Sequence, residues 1–407
     1  MKRSLAVLLL AGTLFYHARS YAQSQGYTLD VVSWNIEFFG APYNSGPSDK
    51  DLQRENVKKI MRYFDADIYG LTEVVDTMHL RRLRDSLGSN FEYAISPYST
   101  SGNIGTNGWR QAQKLAFLYK KDIFTNVTTK GMMLNSPTAS FNWANGRLPF
   151  LMTADATVNG ITKKLNFILI HGKAGSTNED YDRRLEGADE LKDTLDTYFG
   201  TSNTLIIGDF NDALNRTISP GSGPVSSYQP IIMDSTDADH YKSITLPLAL
   251  AGQTTMINYP NVIDNHVISN EVTPFYILNS AKIRTDVTVV VPNYVTAHNT
   301  SDHYPVFSQY SLSGNITSIP VVTPSEFGIR LFPVPTSGRI FLRATKTLRN
   351  LSGRILDLTG KTVSGFELNV LNEGITAEPT ILSLPAGTYF MELNSGTLRT
   401  TIKFIIQ

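Results

Sequence analysis

The chain has 407 residues, 36 basic against 36 acidic side chains, and no cysteine. At roughly 150 residues per domain that length predicts two domains with room for a large core, and 41% hydrophobic against 18% charged residues excludes wholesale disorder. The missing cysteines exclude a disulfide scaffold, a thiolate zinc site, an iron–sulfur cluster and a thiol nucleophile, and the balanced charge argues against a generic polyanion binder.

Lys2 and Arg3 precede an apolar run at residues 5–15, and Ser20-Tyr21-Ala22 offers small residues at the −3 and −1 positions of a cleavage site. This pattern predicts a secretory signal peptide over residues 1–22, too short to cross a bilayer. No later stretch approaches the ~18 apolar residues of a membrane span, so export without an anchor is expected. Removal of the leader leaves 33 basic against 36 acidic residues. An exported chain without cysteine suits a bacterial source.

From about residue 27 to residue 311, strand-like and helix-like segments alternate. Residues 28–36 and 68–74 are short β-rich runs; between them Leu52, Val57, Ile60, Met61 and Phe64 recur at helical spacing, with Ser48 and Asp51 as a capping box. Further strands are expected at residues 114–120, 149–158, 165–171, 204–209, 262–269 and 304–310, and a helix at 180–198 with Leu185, Ala188, Leu191 and Leu195 on one face. The fold class is α/β, with sheets covered by helices. Residues 312–324 are rich in Ser, Thr, Pro and Gly, a linker signature. Residues 325–407 show only short strands separated by turn signals and predict a small β-sandwich. This module carries nine basic and six acidic residues, leaving the larger domain at a net charge of −6.

Polar residues of the large domain gather at strand ends: Asn35 and Glu37, Glu73, His171, Asp209 and Asn211, Asp264, and Asp302 with His303. Strand ends converge on one rim of a sheet, where sites are commoner than in sheet middles. Each residue alone has a bland reading: Glu73 a solvated strand end, His171 a hydrogen-bonded core histidine, Asp302-His303 a cap beside a surface imidazole, residues 209–212 an Asx turn. Their joint order is the specific signal. Glu37 shares the strand of Asn35, His266 shares that of Asp264 and reads as structural, and His240 and His298 read as solvated. Lys114, Lys120 and Lys121 read as a solvated strand edge.

Trp34-Asn35-Ile36, Thr72-Glu73-Val74, Gly208-Asp209-Phe210-Asn211 and Ser301-Asp302-His303-Tyr304-Pro305-Val306 together resemble the motifs of the endonuclease/exonuclease/phosphatase superfamily, over about residues 28–310. The resemblance implies a four-layer α/β sandwich of the DNase I-like type, two mixed sheets face to face with helices outside, and a metal-dependent phosphoric ester hydrolase. Such an enzyme must neutralise the phosphate, position water and protonate the leaving oxygen. Mg²⁺ suits a site with few protein oxygens, with Mn²⁺ or Ca²⁺ as alternatives; zinc is disfavoured by the lack of Cys and of a His pair at ligand spacing. Glu73 is the first choice of metal ligand, Asn35 a ligand or orienting group, and the resemblance adds Asp302. His303 is the acid/base candidate because imidazole titrates near neutrality, with Asp264 orienting it as the resemblance implies. His171 would hold a phosphate oxygen or assist the leaving group, Asp209 would align the water or bind metal, and Asn211 would donate to the phosphate. The sequence leaves open which imidazole gives and which takes a proton. Arg147 matches a phosphate-contacting position.

Compared with pancreatic-type DNases, Val75 stands where an Arg enters the minor groove, and Gln111 and Gln113 stand where a Tyr and a Glu are expected. That points away from duplex reading and leaves His171 without an acidic partner. Trp109-Arg110 is a candidate stacking pair for single strands, and Asn107-Gly108 suggests a mobile turn beside it. The C-terminal module, with Pro333-Val334-Pro335 and Leu384-Pro385-Ala386-Gly387-Thr388-Tyr389, resembles a type IX secretion sorting domain of Bacteroidetes; it implies passage through that machinery to the medium or the outer-membrane surface.

The expected function is therefore a secreted Mg²⁺-dependent phosphodiesterase, a monomeric nuclease acting on extracellular DNA or RNA. Two rivals stand beside it. One is a sphingomyelin or phospholipid phosphodiesterase, or a phosphomonoesterase, for which residues 244–251 offer an apolar run. The other is an inactive binding protein on a hydrolase scaffold.

Overall fold

The computed structural model describes residues 28–43, 45–232, 240–313, 323–358, 361–379, 384–396 and 398–407. The expected leader and most of the expected linker lie outside these residues.

Two six-stranded mixed sheets form the large domain. In the first, the strands run in the order Lys282–Ile283, Val306–Tyr310, Leu29–Phe39, Ile68–Val74, Lys114–Lys120, Phe91–Ile95. In the second, the order is Tyr241–Ser243, Asp264–Ser269, Thr204–Asp209, Ile161–His171, Phe150–Val158, Phe124–Gly131. Alternation of side chains along each strand gives each sheet two apolar faces. Leu29, Val31, Ile68 and Phe117 meet Phe167, Leu169, Leu205 and Ile207 between the sheets. The outer face of the first sheet buries Trp34, Tyr69 and Leu71 under helices Lys50–Phe64 and Thr77–Leu87. Ile168, Ile206 and Val267 of the second sheet lie under helix Asn178–Phe199. The result is the expected four-layer sandwich.

The same alternation builds the rim. Residues 29, 31, 33 and 35 point between the sheets, as do 165, 167, 169 and 171, and 205, 207 and 209. Strands Leu29–Phe39 and Ile68–Val74 are parallel, as are Ile161–His171 and Thr204–Asp209. Asp264 begins an antiparallel strand and pairs directly with Asp209, which also pairs with His171. Asn35, His171, Asp209 and Asp264 are thus the last inward side chains at one end of the sandwich, where the apolar filling gives way to polar groups.

Several local expectations need correction. The first helix is capped by Asp49, not Ser48: its carboxylate accepts the Leu52 N–H at 2.9 Å. Lys114 and Lys120 are buried, each bonded to oxygen acceptors, and only Lys121 is solvated. Asn107-Gly108 opens a short helix, Asn107–Gln111, capped by the Thr106 hydroxyl on the Trp109 N–H, rather than a free turn. Trp109 is buried, with its indole N–H on the Ser96 carbonyl at 3.1 Å, and has no face free for a base. The apolar run at 244–251 contains helix Leu246–Leu250, with Ile244 buried and Leu250 71% exposed, and makes no hairpin.

The C-terminal module contains a three-stranded and a four-stranded antiparallel sheet around one apolar core of Ile329, Leu342, Leu351, Ile355, Met391 and Phe404. It meets the large domain through polar pairs, Asp65 with Arg349, Arg284 with Asn369, and Lys282 with Glu367 at 2.7 Å. Asp65 precedes strand Ile68–Val74, so this contact lies at the opposite end of that strand from Glu73.

Candidate active site

Asp209 sits at the centre. Gly208 before it has φ +129°, and a Cβ there would fall 2.2 Å from the Ile170 carbonyl oxygen, so only glycine lets the strand turn into the site. Asp209 Oδ1 accepts the Asn211 N–H at 2.8 Å, which ties the following loop. Its Oδ2 accepts from Asn35 Nδ2 at 3.0 Å and faces His171 Nε2 at 3.5 Å and His303 Nε2 at 4.0 Å. Burial, then the neighbouring Asp264, raises the Asp209 carboxyl to about 6.

Glu73 reaches the same place by a backbone irregularity. Strand alternation would turn it outward with Tyr69 and Leu71, but it has φ +62° and the register with Lys114–Lys120 shifts between Leu71 and Val74. Its Oε2 accepts the Phe38 N–H at 3.0 Å and its Oε1 the Asn35 amide at 3.2 Å. Asn35 Oδ1 is meanwhile occupied by the Glu37 N–H at 3.0 Å. Asn35 therefore presents its donor to Glu73 and Asp209, the arrangement an orienting group would have. Burial raises the Glu73 carboxyl, opposed by the Arg147 charge.

The two imidazoles differ in their surroundings. His303 Nδ1 bonds Asp264 Oδ2 at 2.7 Å, and its carbonyl is clamped by the Trp34 indole at 3.0 Å and by the Tyr294 hydroxyl. Burial disfavours a charge on His303, yet Asp264, Asp209 and Asp302 outweigh burial and hold the ring well above its ordinary range. His171 Nδ1 has no partner. Burial, with Arg147 and His303 nearby, holds His171 well below its ordinary range. His303 is held as a cation and His171 as a neutral ring.

Arg147 is buried in the loop after helix Ala139–Asn142. It donates to Gln113 Oε1 and, at 3.0 Å, to the Gly172 carbonyl, on which Asn211 Nδ2 also converges at 3.3 Å. Its Nε is buried without a partner, a donor that an anionic oxygen would satisfy. Asp302 Oδ1 lies 3.9 Å from His303 Nε2 at the more open side. His266 is not part of the site: its two nitrogens bond Ser308 Oγ at 2.8 Å and Ser33 Oγ at 3.0 Å, linking the two sheets.

Two neighbours were underrated by sequence. Glu37 is buried, with Oε2 unpartnered and Oε1 on His298 at 2.6 Å, and burial and Asp302 raise its carboxyl. Gln113 is the Arg147 partner, which its place before strand Lys114–Lys120 could have suggested.

Buried carboxylates with too few cations around them suit a hard divalent ion. Glu37 Oε2 and Asp264 Oδ1 are orphaned, Glu73 and Asp209 are held above the usual carboxylate range, and the donor atoms are oxygens without any thiolate. Asp209, Asp264 and His303 offer ligand atoms within 4.8 Å of one another. That trio is already closed by the His303–Asp264 hydrogen bond, so it suits proton handling better than a cation. Glu73 and Asp302 both bear on the buried Glu37 carboxyl, and these acids supply the oxygen donors that a divalent metal ion would need.

The family model described as "Endonuclease/Exonuclease/phosphatase family" matches residues 32–303, and that described as "Secretion system C-terminal sorting domain" matches 330–407. No curated protein matches the chain significantly. Among solved structures, an endonuclease/exonuclease/phosphatase from Beutenbergia cavernae is 15% identical with TM-score 0.48, over 93% of this chain and 100% of that one. One from Bacteroides vulgatus is 15% identical with TM-score 0.48, over 70% and 98%. The human Nocturnin catalytic domain with bound sulfate anion is 14% identical with TM-score 0.46, over 70% and 95%. The family match spans about two thirds of the chain. The sorting domain marks a protein exported by type IX secretion or held at the cell surface, and among the described residues no helix is long and apolar enough to cross a membrane. With the four-layer fold and the rim of acids and imidazoles, the chain belongs to the endonuclease/exonuclease/phosphatase family of metal-dependent phosphoric ester hydrolases.

Proposed function

We propose that the protein is a secreted, Mg²⁺-dependent phosphodiesterase that hydrolyses extracellular nucleic acid, with a catalytic domain at residues 27–311, a linker at 312–324 and a sorting domain at 325–407. The single observation that carries this reading is the meeting of two imidazoles on one buried carboxylate, beside an arginine with a free donor. Arg147 and Asn211 anchor the non-bridging phosphate oxygens, and neutral His171 donates to one of them. The oxygen of a water molecule bonds to phosphorus as the bond to the leaving oxygen breaks. Asp209, raised to about 6, takes the proton of that water, and the His303 imidazolium supplies one to the leaving oxygen. Asp264 positions His303, and Asn35 positions Glu73 and Asp209. Mg²⁺, held by Glu73 and Asp302, would neutralise charge on the phosphate.

A scaffold kept only for binding would not need acids and imidazoles converging on Asp209, and that convergence supports the catalytic reading. The test is a panel of single-stranded DNA, plasmid, RNA, sphingomyelin and bis(p-nitrophenyl) phosphate, each with Mg²⁺ and with EDTA. Mg²⁺-dependent cleavage of a nucleic acid and of the chromogenic diester is expected. Turnover of sphingomyelin alone would transfer the enzyme to the lipid class, and silence on every diester would refute the reading.

A further inference from the structure

Beside the rim lies a cavity of about 380 Å³ that the chemistry above does not use. One wall is Phe38, near the end of strand Leu29–Phe39, and Tyr43 just beyond it; the other wall is drawn from residues 100–113. It abuts the site at two points. The Phe38 N–H is bonded to Glu73, and Gln113 is bonded to Arg147. The Tyr43 phenol is pushed up by burial and by the Glu73 charge.

The slot is built rather than incidental. The Phe38 and Tyr43 rings meet edge to face at 6.3 Å and 78°. The Tyr43 hydroxyl donates to the Gln111 carbonyl at 2.9 Å and so bridges the walls. The far wall is braced by Lys114, which is fully buried and donates to the Trp109 and Ala112 carbonyls, both at 2.6 Å. Lys114 also lies 4.7 Å from the centre of the Trp109 ring. A Cβ on Gly108 would fall 1.9 Å from the Ser101 carbonyl oxygen, so this wall closes backbone on backbone. None of the residues lining the slot carries a formal charge.

We propose that this slot receives the nucleobase of a nucleotide attached to the scissile phosphate; the inference rests on the phosphodiesterase reading and deepens it. The volume is at the small end for ligand pockets. Aromatic walls stack bases without reading sequence; the Gln111 amide offers a donor and an acceptor to a base edge, and Gln113, whose Oε1 is held by Arg147, adds its amide donor. Thr100 Oγ1, buried without a partner, adds one more polar group to that wall. The lack of a cation makes the slot a poor receptacle for a second phosphate, which sets multiply phosphorylated head groups aside. A neutral slot releases no counterions, so its share of recognition does not change with salt.

The test compares a dinucleotide with an analogue whose slot-side base is replaced by hydrogen, for the parent, Tyr43→Ala and Tyr43→Phe. Tyr43 is 39% exposed and its truncation leaves the core intact. The parent is expected to favour the base-bearing diester about tenfold in kcat/KM, the scale of one stacked base. Tyr43→Ala brings that ratio near one, Tyr43→Phe keeps most of it, and the parental ratio holds as salt is raised. A second arm reads binding without turnover: saturation-transfer NMR in EDTA with adenosine 5′-monophosphate against ribose 5-phosphate and mannose 6-phosphate. Transfer to the base protons, lost in Tyr43→Ala, is expected. A parental ratio near one, a ratio untouched by Tyr43→Ala, or sugar phosphates binding as tightly as the nucleotide would overturn the inference. Inertness of the parent toward every diester would instead sink the phosphodiesterase reading, and the binding arm would still decide what the slot holds.

Discussion

His171 and His303 approach the same oxygen of Asp209, at 3.5 and 4.0 Å, yet they are held in opposite charge states. The difference comes from their other nitrogens. His303 Nδ1 leans on Asp264, while His171 Nδ1 meets no acceptor and has Arg147 nearby. One ring can deliver a proton and the other can only hold an oxygen.

That division fixes a pH dependence. Asp264→Asn removes the carboxylate that favours the His303 cation, so the His303 pKa falls. The imidazolium is then lost at lower pH, and the alkaline limb of kcat/KM moves down by about one to three units. The acidic limb, which requires Asp209 as carboxylate and rises through about 6 in the parent, stays in the acid range. A pH–rate profile of the two enzymes checks this; an unmoved alkaline limb would assign the proton donor elsewhere.

His266 makes a separate prediction about stability. It bridges Ser33 and Ser308 across the sandwich as a neutral ring, with its pKa lowered by burial from 6.5 to about 3. A lowered histidine pKa means the unfolded chain binds the proton more readily. The contribution is complete above pH 6.5 and is lost as pH falls toward 3. His266→Gln should flatten that slope in urea denaturation between those limits. It should also cost about 1–3 kcal/mol at neutral pH, since Ser33 loses its partner.

The loop that follows Asp209 and carries Asn211 is held from behind by Arg184 and Asp212, both fully shielded in their side chains and 3.9 Å apart. Arg184 also donates to the Lys173 and Gly175 carbonyls, at 2.8 and 2.7 Å, and to Ser219 Oγ at 2.9 Å. Asp212 collects Ser227, Thr217 and the Ile218 N–H. Arg184→Ala leaves a buried carboxylate without its counter-charge and should cost about 3–5 kcal/mol in denaturant unfolding. Arg184→Lys, which keeps the charge but loses the planar fork, should fall between.

Much of this architecture was legible because the signals were periodic. The strands at 68–74, 114–120 and 204–209 have the limits read from sequence, since a continuous apolar run between turn residues leaves few alternatives. Helix Thr77–Leu87 escaped notice because it buries only Leu80 and Leu83. The rim was legible in its membership, but the left-handed backbone at Glu73 was not, since a bulge is set by the neighbouring strand and not by a local motif. Trp109 and Lys114 misled for a related reason: in a polar segment the indole, with Arg110, reads as a stacking surface and the lysine as a solvated strand edge, while in the fold they brace each other.

The central claim is that one rim works as a single cation-dependent hydrolytic centre. The most direct measurement is the rate of bis(p-nitrophenyl) phosphate hydrolysis across a Mg²⁺ titration, for the parent and for Glu73→Gln, which keeps the side chain's size and one of the two oxygens that accept from Asn35 and Phe38. The parent should be silent in EDTA and saturate with Mg²⁺, and the variant should lose about a hundredfold or more in kcat/KM and require more Mg²⁺. Equal rates and equal Mg²⁺ dependence in the two proteins would contradict the account.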